Sequence, residues 1–187
     1  MISYETDPSF VQEFLDIIHT WQCALLELVL DIGVDMVTRF GYYDGPSFWG
    51  KKYFVHYLKP IMDHEAQLCE QAGTYLSQQQ SEGITQLVDV YKDMKVHVLR
   101  DVDPVQGNED MALLKQELGS SKTLMGGVNC DIMLSSASEQ EIDNMVRETL
   151  ELMAPGGRFI LQPIPGVYSG VPWQKVEQLI QAWKKFA

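Results

Sequence analysis

The stretch "APGGRFILQPIPGVYSG" (residues 154–170) decides how this chain folds. Pro155, Gly156 and Gly157 end one element, "RFILQPI" has the composition of a buried strand, and a loop rich in glycine and proline follows. In α/β proteins, the loops at the carboxyl ends of strands hold ligands and reacting groups. This loop contains no His, Cys, Asp, Glu or Lys, so the stretch predicts the scaffold of such a protein without a reactive side chain here.

Helical patterns flank this strand and recur along the chain. The N-terminal stretch "DPSFVQEFLDIIHTWQCALLELVLDIG" predicts an amphipathic helix, with Asp7 as N-cap and Pro8 in the first turn. Its apolar residues recur at three- and four-residue spacing: Phe10, Phe14, Ile18, Trp21, Leu25 and Leu28. The stretch "SFWGKKYFVHYLKPIMDHEAQLCEQAG" predicts one long helix with a kink at Pro60. Ser138 and Glu141 form a capping-box pattern before the last predicted strand.

Extended patterns alternate with these helices. Four strands are predicted before "RFILQPI", at "DMVTRFG", "GTYLSQQQ", "KVHVLRDV" and "KTLMGGVN". Because helices separate the strands, the pattern predicts an α/β fold with about five parallel strands joined by right-handed crossovers. No linker or low-complexity segment interrupts the chain, so residues 1–187 are expected to form a single domain.

The overall charge limits the classes of partner. The 187 residues include 26 acidic and 14 basic side chains, a formal net charge of −12. Such a surface repels phosphates, so nucleic acid is not an expected partner. No membrane span or signal peptide is expected either, since Glu27 and Asp31 interrupt the most apolar stretch. Three widely spaced cysteines (Cys23, Cys69 and Cys130) favour reduced thiols and a cytoplasmic protein.

Three segments, taken in order, carry a resemblance to a known family. They are "GVDMVTRFGYYDGPSFWGKKYFVHYLKPIM", "DPVQGNEDMALLKQELGSSKTLMGGVN" and "SEQEIDNMVRETLELMAPGGRFILQPIPGVYSGVPWQKVEQLI". Together they resemble the uroporphyrinogen decarboxylase superfamily, which includes the decarboxylase of haem biosynthesis and the zinc-dependent, corrinoid-linked methyltransferases. The resemblance implies a partial TIM (β/α) barrel that corresponds to the C-terminal part of the family's barrel. The N-terminal strands, which in the family carry the Arg and Asp that hold the tetrapyrrole, have no counterpart here.

The family's reactive positions carry other residues in this chain. In the methyltransferases a His-x-Cys pair near the fifth strand and a Cys in the last loop bind zinc, and in the decarboxylases the last loop carries a His. Here Gln79 or Gln80 replaces that first His, Ser81 or Glu82 replaces the Cys, and Ile-Pro-Gly occupies 164–166. A neutral amide is a poor zinc ligand. The resemblance therefore implies no metal, no cofactor and no assignable catalytic residue, and the alternative interpretation of "SQQQSEG" is a polar strand-end loop.

The loop "RFGYYDGPSFWG" supplies the most suggestive candidate ligand-binding residues: Arg39, Tyr42, Tyr43 and Asp44. In the mouth of a barrel, Arg39 could pair with a ligand carboxylate and the tyrosines could stack on a planar ligand. Alternatively, Arg39 pairs internally with Asp101 or Asp103, and the aromatic side chains fill the incomplete barrel.

The acidic stretch "LRDVDPVQGNED" follows another strand. Asp101 and Asp103 are two residues apart, so on a regular strand they face the same way and could share a proton or a cation. A solvated acidic turn is the alternative. The remaining candidate ligand-binding residues are Gln79, Glu82, Asn129 and Gln162.

Several glycine, cysteine and histidine residues are interpreted as structural and not as ligand-binding residues. Gly126 and Gly127, inside a predicted strand, indicate close approach of another backbone or of a ligand. Cys130 is interpreted as a buried structural cysteine. His56 and His64 lie eight residues apart on one predicted helix, which is too far for an i, i+4 metal pair.

These features favour one of two functions. The first is that of a divergent superfamily member, which binds a tetrapyrrole-type or small methylated ligand and works with a corrinoid protein or with a partner that supplies the missing strands. On this interpretation the isolated chain holds no zinc and does not decarboxylate uroporphyrinogen. The second is a non-catalytic half-barrel that binds a small molecule or a protein. Because an incomplete barrel exposes strand edges, a homodimer or larger oligomer is expected.

Overall fold

One parallel sheet organises residues 3–168 and 170–187, the part of the chain that the computed structural model describes. The strands are β1 (Met36–Gly41), β2 (Tyr75–Gln80), β3 (Val98–Val102), β4 (Thr123–Asn129) and β5 (Phe159–Ile164). They lie side by side in sequence order, and every neighbouring pair is parallel. Within the described residues β1 and β5 each have one strand neighbour, so the sheet is not closed. The predicted five parallel strands are confirmed.

Helices connect the strands. They are α1 (Ser3–Thr6), α2 (Pro8–Asp31), α3 (Pro46–Tyr53), α4 (Lys59–Gln71), α5 (Val88–Asp93), α6 (Met111–Leu118), α7 (Glu139–Met153) and α8 (Trp173–Phe186). Two π-helical segments, Phe54–Leu58 and Cys130–Leu134, and a 3-10 turn, Thr85–Leu87, complete the connections. In the described part of the chain, no helix has both the length and the apolar character that a membrane crossing requires.

The helix ends follow the capping signals in the sequence. The Asp7 carboxylate accepts a hydrogen bond from the backbone N–H of Phe10 at 3.1 Å, and Pro8 lies in the first turn of α2. Ser138 and Glu141 form the predicted capping box of α7. Each cap satisfies N–H groups that have no partner within the helix.

The stretch that was expected to form one kinked helix consists of three segments. Helix α3 ends at Tyr53, a π-helical segment follows, and α4 begins at Lys59. Pro60 lies in the first turn of α4, directly after the π-helical segment. Gly50 interrupts α3 with a left-handed φ of 66°. The prediction of helix is confirmed here, and the non-helical backbone within it lies at Gly50.

The sheet has one covered face and one open face. On the covered face, three leucines from neighbouring strands are at most 1% exposed and belong to the same core as residues of α4 and α6: Leu76, Leu99 and Leu124. Residues at alternate strand positions point to the other face. There, four large side chains are more than 40% exposed: Met36, Phe40, Tyr75 and Ile160. We call this second surface the open face.

Helix α2 carries a continuous exposed apolar surface. Six of its large apolar side chains are between 48% and 65% exposed: Phe10, Phe14, Ile17, Trp21, Leu25 and Leu28. Their three- and four-residue spacing places them along one side of the helix, and we call them the α2 stripe. The sequence pattern predicted Ile18 in this position, but Ile17 is the exposed residue and Ile18 is half-buried.

Candidate functional site

Arg39 of β1 links the loop at the carboxyl end of the strand to helix α4. Its guanidinium forms a close ion pair with Asp44, and its Nε lies 3.0 Å from Oε2 of Glu65. Burial by itself would lower the pKa of Arg39, but the carboxylates of Asp44 and Glu65 raise it above its usual value. The positive charge of Arg39 is therefore neutralised within the protein.

These contacts support the internal-pairing interpretation of Arg39 and correct its partners. The sequence suggested Asp101 or Asp103, whereas the structure supplies Asp44 and Glu65. Glu65 comes from the middle of α4, which packs on the covered face. Asp44, itself a candidate ligand-binding residue, is occupied by this ion pair.

The two tyrosines of the loop differ in their surroundings. Tyr42 is 47% exposed and stacks on Phe40, with 6.3 Å between ring centroids. Tyr43 is 72% exposed and contacts the edge of Phe48 at 5.2 Å. Phe40 and Tyr42 thus form an aromatic pair that begins on the open face and ends at its carboxyl edge.

A row of side chains crosses the open face at one level. The strand register aligns one residue from each strand: Phe40, Gln79, Arg100, Met125 and Ile160. Aligned residues of neighbouring parallel strands point to the same face, so these five side chains are adjacent. We call them the open-face row.

Arg100 is the charged member of the open-face row, and the sequence analysis did not identify it. Its side chain is 25% exposed, and its Nε lies 3.4 Å from Oδ1 of Asp101. Among the described residues the guanidinium has no other ionic or hydrogen-bond partner. The alternation of side chains along a strand could have identified Arg100. Val98 and Arg100 are two residues apart on β3, so they point to the same face of the sheet.

Asp101 is buried beside the open-face row. It is 2% exposed and accepts a close hydrogen bond from Nε2 of Gln79. Burial raises the pKa of Asp101, an effect that the Gln79 hydrogen bond and Arg100 partly offset. Two acceptor atoms here, Gln79 Oε1 and Asp101 Oδ1, are buried without a hydrogen-bond partner. Gln79 Oε1 therefore retains acceptor capacity that a donor group can satisfy, whereas Oδ1 of Asp101 already contacts the Arg100 guanidinium.

Asp103 holds the turn that follows β3. Its Oδ1 accepts from the backbone N–H of Val105 at 2.8 Å and of Gln106 at 3.3 Å, and its Oδ2 accepts from Nδ2 of Asn129 at 2.8 Å. Asn129 also accepts from the N–H of Ile132 at 2.8 Å and so caps the segment after β4.

The solvated-turn interpretation of the two aspartates is wrong, because Asp101 and Asp103 are each only 2% exposed. A left-handed φ of 67° at Asp101 and a register shift between Arg100 and Val102 break the regular alternation of β3. The argument that the two carboxylates face the same way on a regular strand therefore does not apply.

Glu82 and Gln162 lie near the carboxyl ends of the strands and differ in whether their side-chain oxygens have hydrogen-bond partners. Glu82 Oε1 accepts from the backbone N–H of Ser47 at 3.2 Å and from its hydroxyl at 2.6 Å, which fixes the N-terminus of α3. Gln162 of β5 is 8% exposed, and its Oε1 has no hydrogen-bond partner. Glu82 is thus engaged in the scaffold, whereas Gln162 adds another unpartnered acceptor near the strand ends.

The strand-end side chains that the sequence resemblance compared with zinc ligands are engaged in the scaffold. Gln80 is held by Tyr91 and by the backbone oxygen of Glu82, and the Ser81 hydroxyl donates to the backbone oxygen of Tyr42 at 2.7 Å. The last loop offers only Ile-Pro-Gly at 164–166. These side chains provide neither thiolate nor imidazole, so no metal-dependent step is derived at the strand ends.

A different group of ligand-type side chains escaped the sequence analysis. His19, Cys23 and His64 come together where α2 contacts α4. His19 and Cys23 are one helical turn apart, which was visible in the sequence. His64 lies 45 residues after His19, so only the packing of the two helices shows that the three are neighbours.

Comparisons with known proteins agree with this architecture. The family model described as "Uroporphyrinogen decarboxylase (URO-D)" matches residues 3–186. No curated protein sequence matches the chain. Among solved structures, a methyltransferase from Methanosarcina mazei superposes with a TM-score of 0.80 at 17% identity, over 98% of this chain and 52% of that chain.

A second structural relative is a dihydropteroate synthase from Anaplasma phagocytophilum with bound 6-hydroxymethylpterin-monophosphate. It superposes with a TM-score of 0.54 at 15% identity, over 86% of this chain and 66% of that chain. At such identities both likenesses concern the fold alone. Both folds are TIM-barrel-like, and the chain spans about half the length of the methyltransferase. The predicted partial barrel is confirmed.

Proposed function

The chain belongs to the uroporphyrinogen decarboxylase family, and from this membership we propose that its open-face row binds a planar, carboxylate-bearing ligand of the tetrapyrrole type. The observation that carries the proposal is the position of Arg100, whose guanidinium lies in the same row as Phe40 and Gln79. A planar guanidinium binds a carboxylate through two parallel hydrogen bonds. Arg100 thus takes the role that the sequence had suggested for Arg39.

The surroundings of Arg100 suit the rest of such a ligand. The stacked rings of Phe40 and Tyr42 offer an exposed aromatic surface for a planar molecule. The acceptor atoms of Gln79 and Gln162, which have no hydrogen-bond partner, suit a ligand that donates N–H groups, as a pyrrole does. A small methylated ligand, the other class implied by the resemblance, lacks the extended planar surface that would stack on these rings.

The proposal concerns binding rather than catalysis. The positions that carry zinc or a reactive His in the family are occupied here by residues engaged in the scaffold or by apolar ones. All three cysteines are free thiols, which supports a reducing compartment such as the cytoplasm as the place of this function.

Replacement of Arg100 by glutamine should weaken the binding of coproporphyrin, a planar tetrapyrrole with carboxylate side chains. We expect the dissociation constant to rise at least about tenfold, because a charge-assisted contact is lost. Quenching of tryptophan fluorescence during a porphyrin titration measures this. Far-UV circular dichroism and the melting temperature verify that the variant remains folded.

The matched control is Arg147→Gln, which removes the same charge from an exposed position on α7, where the Arg147 side chain is 44% exposed. This variant should bind coproporphyrin as the unchanged chain does. If the unchanged chain does not bind coproporphyrin, or if the two variants bind it equally well, the assignment of Arg100 is wrong.

A second candidate function, binding of a protein, is favoured by a separate observation. The α2 stripe exposes six large apolar side chains, and β1 is an edge strand with unpaired backbone groups. We propose that a second copy of the chain covers the α2 stripe and the edge of β1, since a symmetric partner can bury the stripe and the strand edge in one interface.

Size-exclusion chromatography with light scattering should therefore report a homodimer or larger oligomer. A specific interface of about 1,600 Å² is expected to survive dilution to micromolar concentration. The double substitution Phe14→Lys and Trp21→Glu, within the stripe, should give monomers. Gln12→Lys, on the exposed side of the same helix that faces away from the stripe, should leave the assembly unchanged. A monomer that persists at high concentration contradicts this candidate.

A further inference from the structure

The side chains of His19, Cys23 and His64 form a compact group at the junction of α2 and α4. The ligand atoms are Nε2 of His19, Nδ1 of His64 and Sγ of Cys23. The two nitrogens are 2.9 Å apart, and the sulfur lies 3.5 Å from Nε2 of His19 and 3.7 Å from Nδ1 of His64. His64 is exposed and the other two are half-buried, so an ion can reach the group from solvent.

These distances match one face of a tetrahedral zinc site. Zinc binds thiolate sulfur at about 2.3 Å and imidazole nitrogen at about 2.0–2.1 Å. At tetrahedral angles these bonds place sulfur about 3.6 Å from nitrogen and the two nitrogens about 3.3 Å apart. The two sulfur–nitrogen distances between the ligand atoms agree with this, and the nitrogen–nitrogen distance needs a few tenths of an ångström of adjustment. Sγ of Cys23 also lies 3.6 Å from Nδ1 of His19, so the His19 ring or the Cys23 side chain must rotate for Nε2 and the sulfur to bind one ion.

Glu65 supplies a second, independent observation. Its Oε1 is buried without a hydrogen-bond partner and lies 3.4 Å from Nδ1 of His19, while its Oε2 lies 3.0 Å from Nε of Arg39. A proton on Nδ1 of His19 would face Glu65 and leave Nε2 free to bind a metal. Metal-bound histidines characteristically donate their second ring N–H to a carboxylate in this way.

We infer that His19, Cys23 and His64 bind one zinc ion, with Glu65 as the positioning residue for His19. A thiolate with two imidazoles suits zinc, whereas magnesium and calcium prefer oxygen ligands. Three protein ligands leave the fourth position for water or another small ligand. The site lies on the helices and is separate from the strand-end positions. This inference therefore replaces the expectation that the chain holds no zinc, because that expectation was argued from the strand-end positions.

The test uses the full chain after treatment with a chelator. Isothermal titration with Zn²⁺ should show about one tightly bound ion per chain, and added zinc should raise the melting temperature. Titration with Co²⁺ should give the intense near-ultraviolet absorption of a thiolate-to-cobalt transition. This band reports a sulfur ligand independently of any activity.

Three variants assign the ligands. Cys23→Ser should abolish the cobalt–thiolate band, and Cys23→Ser and His64→Ala should each weaken zinc binding by at least about 100-fold. Glu65→Gln should keep the band and the stoichiometry but lower the affinity about tenfold, as expected of a positioning residue. His56→Gln, which changes an exposed histidine outside the group, should behave as the unchanged chain does.

The inference is overturned if the unchanged chain takes up no stoichiometric zinc. It is also overturned if Co²⁺ binds without the thiolate band, or if folded Cys23→Ser and His64→Ala variants bind zinc as tightly as the unchanged chain. These results are independent of the proposed tetrapyrrole binding, since Arg100→Gln leaves the three ligands in place.

Discussion

Replacement of Arg39 by leucine should lower the free energy of unfolding by about 3–5 kcal/mol. The guanidinium neutralises two carboxylates, and its loss leaves Glu65, with a side chain only 6% exposed, as an uncompensated buried charge. For a chain of this size, the melting temperature should fall by roughly 6–20 °C. Because the pKa of Arg39 is raised in the folded protein, its contribution is complete at neutral pH and is lost only in strongly alkaline solution.

Two further variants make the Arg39 prediction specific. The double variant Arg39→Leu, Glu65→Leu removes both buried charges and should recover much of the lost stability. Lys51→Ala breaks an ion pair with Asp89 whose side chains are 50% and 62% exposed, and it should cost far less stability than Arg39→Leu because solvent screens exposed charges. Chemical denaturation of all variants measures these differences. A loss below about 1 kcal/mol for Arg39→Leu would show that the buried ion pairs do not stabilise the fold.

Replacement of Gly126 by alanine should destabilise the fold by about 3 kcal/mol or more, because strain and overpacking act together. Gly126 has a φ of +154°, and an added Cβ would lie 2.5 Å from the backbone oxygen of Val102 and 2.8 Å from its nitrogen. Backbone atoms of the neighbouring strand cannot move aside as the end of a flexible side chain can. Chemical denaturation monitored by circular dichroism measures the change.

Gly156→Ala is the matched control for Gly126→Ala. Gly156 has a φ of +77°, but no atom lies within 4 Å of its added Cβ. This variant therefore has the backbone strain without the collision and should cost about 1–2 kcal/mol. Equal losses for the two variants would show that β3 does not approach β4 as closely as the structure indicates.

The element order of the protein could be predicted from local sequence patterns. Asp7 and Pro8 mark the start of α2, and Ser138 with Glu141 marks the start of α7. These signals act within one helical turn, so they do not depend on the rest of the chain. The two glycines of β4 likewise indicated a close approach, and Gly126 lies against the backbone of Val102.

The candidate site was predicted less well, because its chemistry depends on partners distant in sequence. Arg39 was a candidate ligand-binding residue with internal pairing as the alternative, and Glu65, 26 positions later on α4, pairs with its charge within the protein. Arg100 was overlooked beside the two aspartates that follow it. Asp101 has left-handed backbone geometry that no local pattern predicted, so the regular strand assumed for this stretch was wrong.

Local sequence patterns were sufficient to predict the parallel α/β architecture, since apolar periodicity and capping residues act within a few turns of the chain. The resemblance of three segments indicated the family. Which polar groups come into contact, by contrast, depends on tertiary packing. The packing of α2 on α4 joins His64 to His19 and Cys23, and the strand register places Arg100 beside Gln79. Contacts of this kind depend on how whole helices and strands are placed relative to one another. Burial of apolar surface across the whole fold sets this placement, so the local sequence around a polar residue does not reveal its partner.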